Sequence, residues 1–308
     1  MKLKSKFSLL PVVVTVVAAL STAPAHAAEI FVVNDWGGIG TASVGAYDAT
    51  TGATINASLI TGLIEPTAIA ALDGNFLLAQ VVNNSGTIEE YEPDGTVVNA
   101  SLAHEGGVSG LAVSGGDFFA AGLGGITEFT TAGTFVTQFR YALGPWSGIA
   151  ASGADLFVTS QFAPYSVGEF TTSGATVNAS LISGLQNPNA IAVSGSDLFV
   201  ANALSPNSVS EFTTSGAIVN ASLITGLTGG DAISLAVSGG DLFVTNGGAN
   251  GVVSEYTTSG VLVNASLVTG LEYPGAILVT PEPSTWVMFA IGAAALAACA
   301  RRKWRLRV

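Results

Sequence analysis

Polar side chains suited to ligand binding recur about once every 40 residues in this sequence, each directly after a short apolar run. Amide and hydroxyl groups of this kind can bind sugar hydroxyls. With help from Asp35 and Asp231 they could also hold a hydrated cation such as Ca²⁺. The alternative is structural, because Asn and Ser often cap the loop backbone that follows a strand. The recurring positions are Asn34, Gln80, Gly122, Ser160, Asn202 and Asn246.

Acid–base chemistry has weaker support. Between residues 28 and 280 the sequence has a single histidine, His104, and a catalytic base needs a partner within hydrogen-bond reach. Glu105 is only its neighbour in sequence, so a solvated loop histidine is the simpler interpretation. One cysteine and two histidines in the whole chain disfavour a disulfide scaffold or a zinc cluster.

Carboxylates also recur at fixed places in the repeating pattern. Because they fall in separate repeats, they cannot pair as a two-carboxylate catalytic centre. We interpret the glutamates as a solvated outer row and the aspartates as turn residues. The glutamates are Glu90, Glu128, Glu169, Glu211 and Glu255, and the aspartates are Asp117, Asp155, Asp197 and Asp241.

The tripeptide Asn-Ala-Ser occurs five times and is formally a glycan acceptor. Its recurrence at one place per repeat, on the strand expected to be outermost, favours duplication of a polar edge-strand residue. The tripeptides begin at Asn56, Asn99, Asn178, Asn220 and Asn264.

These residues must be positioned by an internal repeat that is visible by eye. A turn glycine recurs six times at intervals of 43, 38, 41, 42 and 44 residues, at Gly52, Gly95, Gly133, Gly174, Gly216 and Gly260. Each repeat offers four short runs rich in Val, Ile, Phe and Thr; in the fifth they cover 190–193, 197–202, 208–214 and 218–225. Such units predict an all-β fold, a six-bladed β-propeller with four antiparallel strands per blade.

The two ends of residues 28–280 predict how the ring closes. Glu29 to Val32 aligns with the second strand of the other repeats, so the first repeat lacks its first strand, and Ala276 to Val279 supplies that strand at the far end. Pairing the two would complete the sixth blade and remove two exposed sheet edges. The alternative is an open solenoid of the same repeats.

The repeats resemble NHL-type propeller repeats. In the fifth repeat the matching residues run from Pro188 to Val193 and from Asp197 to Asn202, followed by Phe212 and Gly216. The resemblance covers residues 28–280, although the Arg or His that often follows the loop in NHL repeats is absent. It implies a scaffold used mainly for binding and sometimes for catalysis.

Residues 1–27 have the layout of a secretory signal peptide. Lysines precede an apolar stretch from Phe7 to Leu20, and Ala25 and Ala27 form a small-residue cleavage site. Fourteen apolar residues fall short of the roughly 20 that span a bilayer, which favours cleavage over retention as an anchor.

Residues 281–308 combine a proline-flanked motif, an apolar segment and a basic tail. Pro281, Glu282 and Pro283 precede a predicted transmembrane helix over residues 286–300. Basic residues that include Arg301, Arg302 and Lys303 follow it and should stay on the cytoplasmic side. A soluble helix of this composition would need complete burial.

This end resembles the PEP-CTERM sorting signal of exported bacterial proteins. The resemblance implies processing by an exosortase, a membrane transpeptidase that acts near the Pro-Glu-Pro motif and releases or transfers the mature protein. It also implies an association with exopolysaccharide production at the cell surface.

Charge narrows the choice of partners. Residues 28–280 contain twenty acidic residues and one basic residue, a net charge of −19, which disfavours nucleic acid as a partner.

Together these features predict an exported, non-enzymatic propeller of the cell envelope or extracellular matrix, anchored in the membrane at least transiently. Its expected partners are an exosortase and a glycan or surface protein. The alternative is a secreted hydrolase or lyase that uses a divalent cation in the channel.

Overall fold

The computed structural model describes residues 28–34, 39–82, 85–139, 146–204, 206–227 and 234–280. These residues form six four-stranded antiparallel sheets, and strand order in each sheet follows chain order, with the last strand of the chain joining the first sheet. Each sheet is one blade. The predicted all-β, six-bladed propeller is therefore confirmed.

The blades follow one another along the chain. The first blade contains β1 (Glu29–Asn34), β2 (Ile39–Asp48) and β3 (Thr54–Ile64). Blade 2 contains β4 (Pro66–Leu72), β5 (Asn75–Val82), β6 (Ser85–Tyr91) and β7 (Val97–His104). Blade 3 contains β8 (Val108–Ser114), β9 (Asp117–Gly122), β10 (Gly125–Thr130) and β11 (Phe135–Phe139). Blade 4 contains β12 (Trp146–Ser152), β13 (Asp155–Ser160), β14 (Ser166–Thr171) and β15 (Thr176–Ser183). Blade 5 contains β16 (Pro188–Ser194), β17 (Asp197–Asn202), β18 (Asn207–Thr213) and β19 (Ile218–Leu227). Blade 6 contains β20 (Leu235–Ser238), β21 (Asp241–Asn246), β22 (Gly251–Thr257) and β23 (Leu262–Leu271), and β24 (Ile277–Thr280) returns to blade 1.

The turn glycines fix the blade corners and also let neighbouring blades approach. Gly216, between β18 and β19, has φ +84°, a backbone conformation that L side chains rarely adopt. A Cβ at this position would lie 2.7 Å from the carbonyl oxygen of Leu181 in the previous blade. The repeating glycine therefore serves the turn and the contact between blades together.

The ring closes as the sequence predicts. Strand β24 pairs antiparallel with β1, with Thr280 opposite Glu29 and Ile277 opposite Val32. The amide of Val33 also donates to the carbonyl of Ala276 at 2.9 Å. The innermost strands β4, β8, β12, β16, β20 and β24 contact one another in turn around the axis. The closing strand begins one residue later than the predicted Ala276.

The hydrophobic core is divided among the spaces between blades. In one cluster, Phe199 of β17 packs with Leu235 and Leu242 of blade 6. A buried aromatic side chain of this kind stabilises the fold by about 1.5–3 kcal/mol relative to an exposed one. Most blades place a phenylalanine at the matching position of the second strand, namely Phe31, Phe119, Phe157, Phe199 and Phe243.

Several predicted features lie outside the described residues. They include the signal peptide with Ala25 and Ala27, and the whole segment 281–308 with its predicted transmembrane helix. In the part of the chain that the structure describes, no helix has the length and apolar character needed to cross a membrane.

Candidate binding site

The central channel contains a cavity of about 360 Å³ at the end where the innermost strands begin. Ligand pockets usually measure about 300–1,000 Å³, so this cavity suits a small ligand. Its lining comes from the first residues of the innermost strand of every blade. All six blades therefore contribute to one site.

An apolar ring forms the deeper part of the cavity. One aliphatic residue from each innermost strand lines it, and every one of these side chains is less than 9 % exposed. The ring consists of Ile69, Leu111, Ile149, Ile191, Leu235 and Ile277.

Hydroxyl and amide groups line the cavity above this ring. They belong to Thr67, Ser109, Ser147, Asn189 and Ser234, together with Gln161 from the loop after β13 and Asn187 from the loop before β16. Two of them are joined directly, since the amide of Gln161 donates to Oδ1 of Asn189 at 2.5 Å. Within the described residues, the lining contains no acidic, basic or cysteine side chain. The described part of the lining is therefore polar above the ring and carries no charge.

Two buried threonines hold this rim to the neighbouring blade. Thr159 is fully buried and bonds Ser147 at 2.8 Å, and Ser147 in turn donates to the carbonyl of Pro188 in blade 5 at 2.8 Å. Thr245 occupies the same place in blade 6 and donates to the carbonyl of Gly275 at 3.2 Å. Each such hydrogen bond contributes about 0.5–1.5 kcal/mol net, so the rim is fixed where blades meet.

Two glycines allow the innermost strands to approach closely. A Cβ at Gly110 would lie 2.8 Å from the carbonyl oxygen of Ser147, and one at Gly148 would lie 3.0 Å from Cα of Ala190. Real Cβ atoms essentially never come closer than 3.0 Å, and 3.0–3.4 Å is already tight. Larger residues would therefore push the blades apart at the cavity.

The polar residues predicted from the sequence lie at or near the ends of the second strands and do not line the cavity. Three of them accept a hydrogen bond from a backbone amide shortly before the innermost strand of their own blade. Asn34 accepts from the amide of Glu272 at 2.8 Å, Gln80 from that of Ile64 at 3.0 Å, and Asn202 from that of Gln186 at 3.3 Å.

The remaining members of that set differ. Ser160 donates to the carbonyl of Phe162 at 3.3 Å. At Gly122 there is no side chain, and the backbone of the loop before β8 packs directly against this residue. A Cβ at Gly122 would lie 2.1 Å from the carbonyl oxygen of Gly107. Asn246 has a buried Oδ1 without a partner among the described residues, which exclude its entering loop at 228–233. A ligand role for Asn34, Gln80, Ser160, Asn202 and Asn246 stays a prediction.

A buried network surrounds Gln80 in blade 2. The amide of Gln80 donates to Glu89 at 2.8 Å, and the hydroxyl of Tyr91 donates to the same carboxylate. All three side chains are at most 9 % exposed. Burial, and next the Glu89 carboxylate, raise the pKa of Tyr91, so this hydroxyl keeps its proton at neutral pH.

The recurring glutamates are half-buried and paired, which differs from the solvated row that the sequence suggests. In the four blades that place an aspartate nearby, burial comes first and that aspartate second in raising the pKa of the glutamate. The Asp–Glu pairs are Asp117 with Glu128, Asp155 with Glu169, Asp197 with Glu211, and Asp241 with Glu255. In blade 2 an asparagine replaces the aspartate, and Nδ2 of Asn75 donates to Glu90 at 2.7 Å.

His104 ends β7 and is exposed. Its Nε2 lies 2.8 Å from Oγ of Ser101, whereas the Glu105 carboxylate binds the hydroxyl of Thr127 at 2.9 Å and the amide of Gln138 at 3.3 Å. The fold therefore directs His104 and Glu105 to different neighbours.

Within the described ranges, no three His, Cys, Asp or Glu side chains are grouped in a way that could hold a metal ion. The two aspartates predicted to assist a cation, Asp35 and Asp231, lie outside those ranges.

Comparison with known proteins identifies the C-terminal segment. Residues 279–303 match the PEP-CTERM protein-sorting motif. The matched region begins in strand β24 and ends at Lys303, so it includes Pro281, Glu282, Pro283, Arg301 and Arg302. No curated protein matches the chain at a significant level.

Solved structures share the propeller fold at low sequence identity. A nidogen/laminin complex contains a chain with TM-score 0.63 and 13 % identity, covering 82 % of this chain and 98 % of that one. TolB from Acinetobacter baumannii has TM-score 0.59 and 14 % identity, covering 83 % and 67 %. A gluconolactonase from Xanthomonas campestris has TM-score 0.53 and 17 % identity, covering 68 % and 80 %. At these identities the likeness concerns the fold alone.

Proposed function

We propose that this protein is sorted to the cell surface, is processed there by an exosortase, and binds a neutral carbohydrate in the central channel without turning it over. The observation that carries the binding proposal is the cavity of about 360 Å³, in which hydroxyl and amide groups lie above an aliphatic ring.

The lining is matched to the chemistry of a sugar. Sugar hydroxyls donate and accept hydrogen bonds, as Ser109, Ser234 and Asn189 also do. The apolar C–H face of a sugar ring can pack on the aliphatic side chains below. The described part of the lining has no charged side chain, which favours a neutral ligand, since a charged one would lose its hydration without gaining an opposite charge there.

The sorting motif supports the place of action. A PEP-CTERM motif implies export and a transient membrane anchor before processing. We place the processing site near Pro281, Glu282 and Pro283, with the basic tail kept on the cytoplasmic side. The mature protein then belongs to the envelope or to the exopolysaccharide matrix, where carbohydrate is abundant.

The direction of β24 determines how the cavity is oriented relative to the membrane in the anchored precursor. Gly275 and Ala276, just before β24, line the cavity, and Thr280 ends the same strand at the opposite face of the ring. Only five residues separate Thr280 from the predicted membrane helix at 286–300, and five extended residues reach at most about 18 Å. The anchored precursor therefore holds its cavity mouth away from the membrane, toward extracellular ligands.

The test measures binding of neutral oligosaccharides to the mature secreted protein by calorimetry, with Ser109 as the probe position. Ser109→Ala removes one hydroxyl and should weaken binding about 2- to 10-fold. Ser109→Phe fills the mouth of the cavity and should abolish binding.

Three outcomes contradict the proposal. The first is binding that Ser109→Phe leaves unchanged, and the second is no binding of any neutral oligosaccharide. The third is release of a cleaved product that stops when divalent cations are chelated, which would support a propeller hydrolase or lyase instead.

A further inference from the structure

The outermost strand of five blades carries a bulge built around the Asn-Ala-Ser tripeptide. In blade 5, Asn220 lies opposite Glu211 and Ile224 lies opposite Val209, so three residues of β19 face one residue of β18. The other four blades with the tripeptide show the same shift in register. At every bulge, Oδ1 of the asparagine accepts a hydrogen bond from the backbone amide of the serine, at 3.0–3.1 Å.

This bulge accounts for the asparagine but not for the serine. The asparagine carbonyl satisfies a backbone amide that the bulge removes from the ladder. Among the described residues, the hydroxyls of Ser58, Ser180, Ser222 and Ser266 make no hydrogen bond, and that of Ser101 contacts His104. The amide nitrogens of the five asparagines likewise have no partner there. In four of these five blades the serine hydroxyl therefore adds no hydrogen bond to the described part of the fold.

Blade 3 provides an internal comparison. Its outermost strand β11 has Thr137 where the others have asparagine, and Gln138 follows it. Thr137 to Phe139 pairs with Ile126 to Glu128 residue for residue, without the bulge. An outer strand can thus form on this scaffold without the tripeptide.

The tripeptides lie on an exposed apolar belt. All five asparagines are exposed, and the residue before each one is an aliphatic side chain about half exposed to solvent. These residues are Ile55, Val98, Val177, Val219 and Val263, with exposures of 53, 48, 53, 52 and 54 %. Because the bulge occupies the serine amide, this part of the edge is blocked against pairing with another strand. A hydrophilic group attached at each asparagine would cover the belt.

We propose that Asn56, Asn99, Asn178, Asn220 and Asn264 are acceptors of N-linked glycans added after export. Asn-X-Ser is the acceptor pattern for this modification. The glycan donor is a polyprenyl-pyrophosphate-linked oligosaccharide. The anomeric carbon forms a C–N bond with Nδ2 of the asparagine while its C–O bond to the pyrophosphate breaks. The amide loses one proton, and the lipid pyrophosphate is the leaving group.

This proposal rests on the export that the sorting motif implies and not on sugar binding in the channel. The experiment expresses the full-length gene in its own cells, isolates the processed product from the surface fraction and digests it with a glutamate-specific protease. Mass spectrometry of the peptides that carry the five tripeptides should show a common added glycan mass.

Variants at Ser222 separate modification from structure. Ser222→Ala keeps Asn220 and its bond to the backbone amide, so the melting temperature should not change, but the peptide with Asn220 should lose its added mass. Ser222→Thr keeps a hydroxyl at the acceptor position and should retain the added mass. The other four peptides serve as controls in the same sample.

Unmodified masses at all five tripeptides in the surface fraction would overturn the proposal. An added mass at Asn220 that survives Ser222→Ala would overturn it as well, since the attachment would not depend on the acceptor pattern.

Discussion

Strands β17 and β19 belong to the same blade but differ in burial: β17 is packed in the core, and β19 is the exposed outer strand. Leu198, Phe199 and Val200 of β17 are at most 1 % exposed, whereas Ile218 and Val219 of β19 are 68 and 52 % exposed. Yet the repeated strands corresponding to β17 vary, from NFLLAQ to DFFAAG to DLFVTN, while Asn-Ala-Ser stays identical in five blades. Packing tolerates exchange among apolar residues of suitable volume, so the strictest repetition need not mark the core.

The largest expected effect comes from the buried side of this comparison. Phe199→Ala should lower the free energy of unfolding by about 3–5 kcal/mol, because it leaves a cavity between blades 5 and 6. Ile218→Ala, in the same blade, should change it by less than about 0.5 kcal/mol. Urea denaturation followed by circular dichroism checks both, and equal losses would mean that the outer strand is packed in solution.

The bulge should give an intermediate effect. Asn220→Ala removes the acceptor for the Ser222 amide and should cost about 0.5–1.5 kcal/mol. Thr137→Ala in blade 3, which has no such bulge, is the matched control and should cost less. The same denaturation measurement applies, and an unchanged midpoint for Asn220→Ala would show that the asparagine has no structural role.

The sequence predicts the inner part of the molecule well because its signals are local. Turn glycines and apolar runs predict all four strands of blade 5, with bounds that differ from the observed ones by at most two residues. The missing first strand of the first repeat predicts that β24 closes the ring. The strand signals depend on residues close together in the chain. The closure is predicted by comparing the repeats with one another, although Glu29 and Thr280 are 251 residues apart.

The candidate site is less accessible to sequence reasoning because it depends on contacts between blades. Thr245 reaches a carbonyl group of the next blade, 30 residues further along the chain. Thr159 is linked to the next blade through Ser147, which donates to the carbonyl of Pro188. Alanine or valine fills the same place in the other blades, so no repeat marks the two threonines. The Asp–Glu pairs escape sequence reasoning for another reason, since antiparallel pairing within one blade brings together residues more than ten positions apart.

A smaller effect is expected at these carboxylate pairs. Asp197→Asn should raise the free energy of unfolding by about 0.2–0.5 kcal/mol at pH 7, because it removes a like charge beside Glu211. In blade 2 the equivalent residue is already the neutral Asn75, which donates a hydrogen bond to Glu90. The converse change, Asn75→Asp, should destabilise the protein.

The pH dependence follows from the raised pKa of Glu211. The folded state holds this proton more tightly than the unfolded chain, so the contribution of Glu211 to stability falls as the pH rises above about 4.3. The advantage of Asp197→Asn should therefore disappear near pH 3, where Glu211 is protonated and no longer carries the charge that Asp197 repels. Denaturation of both proteins between pH 3 and pH 7 checks this, and a constant difference would contradict it.

The smallest effect concerns the acidic surface as a whole. Residues 28–280 carry a net charge of −19, so self-repulsion should weaken as salt or divalent cations are added. Sedimentation velocity across a salt series should show less concentration-dependent repulsion at high salt. No change across the series would contradict this expectation.

The most direct test of the closed ring is a cross-link between β1 and β24. The chain has one cysteine, Cys299, so Glu29→Cys with Thr280→Cys is made in a Cys299→Ser background. These residues are directly opposed, within the range that a disulfide can bridge. Ser152 ends the corresponding strand of blade 4, so Glu29→Cys with Ser152→Cys is the control. The closed ring predicts rapid disulfide formation in the folded Glu29–Thr280 variant and none in the control; failure of the first pair to cross-link would contradict the closed propeller.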